Sequence, residues 1–120
     1  MEYKYIIVAL IFIVFDIATG VLQALITGTF ESHKMRKGGF RKLCLLVVIA
    51  FGVALDYSQT LVDLGFEFPC LKVIASYITF MEIMSIIENI NAAFPNALPK
   101  SLVNVLGHAA AENGVEENEN

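Results

Sequence analysis

Charge is scarce in this 120-residue chain: Asp, Glu, Lys and Arg make up 17%, against about 25% in a typical soluble domain. Hydrophobic residues make up 57%, and the mean hydropathy is +0.67. A chain this short keeps a large share of its area outside any core, so it cannot hide that much apolar surface from water. An ordinary water-soluble domain is thereby excluded, and the solvent that fits is lipid. Cysteine occurs only twice, at Cys44 and Cys70, in no CxxC or other metal-ligand spacing and too rarely for a disulfide scaffold. The formal net charge is −4 and the pI near 5.0, which excludes the strongly basic balance of a nucleic-acid binder. No HExxH, no Gly-rich phosphate loop and no nucleophile–base arrangement is present, so no catalytic residue, metal or cofactor is assigned and the chain is not expected to be an enzyme.

Three long apolar stretches remain. Residues 5–26 form a first expected span, polar only at Asp16, Thr19 and Gln23. A cleaved signal peptide fits poorly, because the apolar run is too long and an acid sits in its middle. Residues 43–64 form a second span and 71–90 a third, joined by a short connector that ends at Pro69. On an insertion scale, the 14 Leu, Ile, Phe and Val residues of the first span contribute about −4 to −8 kcal/mol and offset its one Asp. The third has nine such residues, about −3 to −5 kcal/mol, against Glu82 and Glu88, so it needs partners or water along one side.

Five of the eight Lys and Arg residues, namely Lys34, Arg36, Lys37, Arg41 and Lys42, crowd into residues 31–42, read as a basic cytoplasmic loop. That bias places the amino terminus outside and the carboxyl terminus inside, with Cys70 at the outer face and Cys44 at the inner. Pro95 and Pro99 interrupt the helix that follows. Residues 94–109 are expected to form a juxtamembrane amphipathic segment, with Leu98, Leu102, Val105 or Leu106 and Ala109 on one side. Residues 110–120 are expected to be a disordered acidic tail. The fold class is therefore all-α: an integral membrane domain over residues 1–93 with three transmembrane helices, then a short amphipathic helix and a tail.

At 100° per residue, Asp16, Thr19, Gly20, Gln23 and Thr27 share one arc of the first helix, and Gly52, Asp56, Gln59 and Asp63 one arc of the second. Thr79, Glu82, Ser85 and Asn89 do so in the third, with Glu88 slightly off the line. Such stripes either hydrogen-bond the bundle together or face a pore or other copies of the chain. Small residues recur at spacing four, at Gly20, Ala24 and Gly28 and at Ala50, Ala54 and Ser58, which suits close helix packing and self-association.

Several of these segments occur in a familiar order. Asp16-Ile-Ala-Thr19-Gly20 is followed by Ala24, then by Ser32 and the run Met35-Arg-Lys-Gly-Gly-Phe-Arg-Lys42. Glu82-Ile-Met-Ser85-Ile-Ile-Glu88-Asn89 and Phe94-Pro95-Asn-Ala-Leu-Pro99-Lys100 come after. In this order the chain resembles, up to about His108, the small holins of phages infecting Gram-positive bacteria, including clostridial toxin-secretion holins. The resemblance implies a protein of the host cytoplasmic membrane that forms homo-oligomers and opens lesions, releasing a peptidoglycan hydrolase or an exported toxin. Asp56 and Gln59 match no motif of that family. From the residues alone, a small ion channel or transporter with intramembrane carboxylates, or a non-conducting membrane scaffold, stays open beside that reading.

Overall fold

A computed structural model describes residues 3–29 and 31–112, which form four α-helices and no strand. Helix α1 is Tyr3–Thr27, α2 Ser32–Leu61, α3 Cys70–Ala93 and α4 Lys100–Glu112. The first three are long and apolar enough to cross a membrane. At 1.5 Å per residue α1 and α3 measure about 36 to 38 Å, and α2 about 45 Å, the thickness of a bilayer with its headgroups.

Local chemistry sets the boundaries. Gly28 has φ +71° and Thr29 N–H donates to the Ala24 carbonyl at 2.9 Å, a left-handed cap that ends α1. Gly28 therefore terminates a helix instead of extending the Gly20–Ala24 stripe, and open space surrounds the position where a Cβ would sit. Helix α2 stops at Leu61, three residues before the expected end of the second span. There Asp63 turns the chain by accepting the Gly65 N–H at 2.9 Å, with Gly65 at φ +84°. Pro69 precedes the first turn of α3. After Ala93, Pro95, Asn96 at φ +71° and Pro99 carry the chain around to α4.

Three sequence expectations are corrected here. The basic segment is no loop: Ser32–Lys42 is the helical beginning of α2, Gly38 and Gly39 included. Lys, Arg, Met and Leu are good helix formers, and side chains that lean toward the helix N-terminus carry their charges toward the near end of the bundle. Helix α4 runs through residues 110–112, expected in the tail; the rest of that tail, 113–120, lies outside the described residues. The third correction concerns the apolar face of α4. Val103 and Leu106, together with Leu98, pack against Met84 and Ile87 of α3, whereas Leu102 and Val105 remain exposed.

Helix α3 is the hub, packed by each of the other three. Ala9 and Ile13 of α1 join Leu71, Ala75 and Ile78 of α3 in the main apolar cluster, with Ile49 from α2. Farther along, Asp16 and Gly20 of α1 meet Asn89, so α1 and α3 run parallel. Helix α2 runs antiparallel to α3, with Gly52 against Leu71 and Lys42 against Glu82. A Cβ on Gly52 would lie 3.0 Å from Ile74 Cδ1 and 3.3 Å from Leu71 Cα, so only glycine fits without displacing the α3 backbone. Outside this core the bundle is apolar: Ile7, Ile11, Val14 and Phe15 of α1 and Val47 and Phe51 of α2 are exposed. Such a surface is costly in water and natural in hydrocarbon.

Candidate functional site

Asp16 is near the middle of α1, Glu82 near the middle of α3, and both are buried, Glu82 completely at 0% exposure. Between them lies the ammonium of Lys42, which donates to Asp16 Oδ2 and to Glu82 Oε2. Its side chain is only 11% exposed. The second oxygen of Glu82 faces Arg41, whose Nη2 is 3.7 Å from Oε1. Two carboxylates are thus balanced by two cations, Lys42 within the bundle and the half-exposed Arg41 at its edge. That balance is what low dielectric demands, since an unmatched ion there costs several kcal/mol.

Asn89 extends the cluster toward the basic end of the bundle. Its Nδ2 donates to Asp16 Oδ1 at 3.0 Å and to Thr19 Oγ1 at 3.1 Å, and it lies 3.4 Å from the Asp16 carbonyl. Thr19 also donates back to the Phe15 carbonyl at 2.9 Å. Gly20 faces the same amide, where a Cβ would meet Asn89 Nδ2 at 3.5 Å, an ordinary contact with no room for a larger side chain, and Ala24 is buried four residues further on. Asp16, Thr19, Gly20, Lys42, Glu82 and Asn89 are therefore brought together.

The other candidate residues lie elsewhere. Gln23 bonds locally to Thr27 at 3.3 Å. Ser85 is half-buried and Glu88 is exposed. Asp56 and Gln59 sit at the far end of α2 and hold the connector. Asp56 accepts the backbone N–H of Cys70 at 2.8 Å and of Leu71 at 3.2 Å, capping α3 from another helix. Gln59 exchanges two 2.8 Å hydrogen bonds with the Phe68 backbone, and its Nε2 lies 3.5 Å from Cys70 Sγ. Ala50 and Ala54 face outward from the bundle, as do Lys34, Arg36 and Lys37. Cys44 is exposed, two residues after Lys42 on α2, and Cys70 is buried at the connector. The two cysteines are both unpaired.

The role of Lys42 inside the bundle, and of Arg41 at its edge, escapes a reading that treats a basic run as a loop. The signal lay in the balance of charge: two mid-span carboxylates require cations, and Lys42 stands immediately before Leu43, where helical periodicity can carry it inward.

Three apolar spans around a neutral polar centre define a multi-pass α-helical membrane protein. The chain belongs to the bacteriophage holin family, which matches residues 2–109. This is a family of membrane-permeabilising proteins and not of enzymes. No curated protein and no solved structure matches the chain.

Proposed function

We propose that the protein accumulates in the cytoplasmic membrane of a bacterial host as a compact three-span unit and then self-associates into lesions. Through these a cell-wall hydrolase, or an exported toxin, leaves the cell. The observation that carries this reading is the charge cluster. A unit whose ions are matched internally and whose outer surface is apolar can reside in lipid without harm. Separating α1, α2 and α3 would expose Asp16, Lys42 and Glu82 together, and such groups are stable only beside water or other copies. Ala50 and Ala54, outward on α2, give a second unit a close approach.

The basic start of α2 supports an orientation with the amino terminus outside and the carboxyl terminus inside. Lys34, Arg36 and Lys37 are exposed and reach toward the end of the bundle where α1 stops and α2 begins. Inducible expression in a bacterium, with membrane potential and turbidity followed together, tests the function. Depolarisation without lysis, converted to lysis by adding a cell-wall hydrolase, is the expected result. Release limited to ions and small dyes would instead identify a selective channel.

A further inference from the structure

An open groove of about 810 Å³ runs between α2 and α3 on the surface of the bundle. Leu45 and Val48 form one wall, and Val73, Ile78 and Met81 the other. Lys72 stands at the connector end, in the first turn of α3, and Arg41 at mid-height. From Lys72 to Met81 the helix rises about 14 Å, close to the depth of one leaflet of a bilayer about 30 Å thick. The two cations differ. Arg41 faces Glu82, whereas the exposed ammonium of Lys72 has no partner among the described residues.

We propose that this groove holds one anionic phospholipid, with its phosphate on Lys72 and an acyl chain laid along Val73, Ile78 and Met81. Ser76 and Tyr77 line the same groove and bring hydroxyls one turn below the ammonium. Of a second copy's surfaces, the outward face of α1 presents Ile7, Ile11 and Val14 and no acid for Lys72. The assignment needs only that the bundle spans a membrane and is independent of lesion formation.

The chain contains no tryptophan, so one introduced indole reports without background. Full-length Tyr77→Trp, and separately Val73→Trp, is reconstituted in phosphatidylcholine vesicles containing brominated phosphatidylglycerol or brominated phosphatidylcholine, and quenching is measured. Ile11→Trp, on the exposed face of α1, is the reference. Quenching in the groove is expected to favour the anionic lipid about fivefold, the weight of one lysine at an anionic headgroup. Lys72→Gln is expected to bring that ratio to the Ile11→Trp value. Equal quenching by both lipids, or a preference that survives Lys72→Gln, overturns the proposal. So does a groove indole quenched by neither lipid while Ile11→Trp is quenched by both, the outcome if a second copy fills the groove.

Discussion

Lys42 and Glu82, forty residues apart, form an ion pair at the centre of the three-helix bundle, with Glu82 fully enclosed. The pair fixes the height of α2 against α3, and its link to Asp16 fixes α1 at the same level. A glutamate that composition alone makes an insertion cost is thereby matched within the chain.

Removing one member should cost more than removing two of opposite sign. Lys42→Leu leaves Asp16 and Glu82 against Arg41 alone and should destabilise the bundle by about 3 to 5 kcal/mol. Lys42→Leu combined with Glu82→Leu leaves Asp16 and Arg41, one charge of each sign, and should recover part of that loss. Thermal unfolding of the purified variants in detergent measures both. A double variant less stable than Lys42→Leu contradicts the pairing.

The two small-residue stripes should separate fold from assembly. Gly20 meets Asn89 inside the bundle, so Gly20→Leu should push α1 from α3 and lower thermal stability by about 1 to 3 kcal/mol. Ala54→Leu, on the exposed side of α2, should leave stability within about 0.5 kcal/mol and reduce crosslinked oligomers. Unchanged crosslinking would remove that face from the assembly.

Asp56 should act as the cap of α3. Asp56→Ala should cost about 1 kcal/mol and open the first turn, with faster amide exchange at Cys70 and Leu71 and faster alkylation of the Cys70 thiol. Asp56→Asn, which keeps an acceptor oxygen, should fall between the two. Hydrogen exchange and thiol-labelling rates give the order directly.

The native cysteines suit an orientation test poorly, because Cys70 is buried and Cys44, two residues from Lys42, lies well inside the length of α2. In a cysteine-free background, Glu67→Cys at the connector should react with a membrane-impermeant maleimide on intact cells. Ser32→Cys should react only after the inner face is opened. The reverse pattern inverts the orientation.

The spans themselves were legible because apolar runs of 20 to 22 residues have little alternative in a short chain. Asp16, Glu82 and Asn89 could be placed on helix faces by angle, and all three belong to the central cluster. Helical angle gives a direction around an axis but no partner across it. It could not show that Asp56 caps a helix 14 residues away. Nor could it show that the basic run continues α2, since charge density marks loops in most membrane proteins and here the charges lean off a helix end. In α4 several apolar positions compete for one face, and only contact with Met84 and Ile87 selects Val103 and Leu106.

In the proposed function the closed, ion-matched bundle is the resting form, and α1 and α3 separate when the membrane opens. A Gly20→Cys, Asn89→Cys pair in a chain carrying Cys44→Ala and Cys70→Ala places two thiols at the α1–α3 contact. Oxidised in cells, this variant should reach full membrane abundance and leave the membrane potential intact, and a permeant reductant should then restore depolarisation. Depolarisation of oxidised cells on the same schedule as reduced ones, with the crosslink verified, would contradict the account.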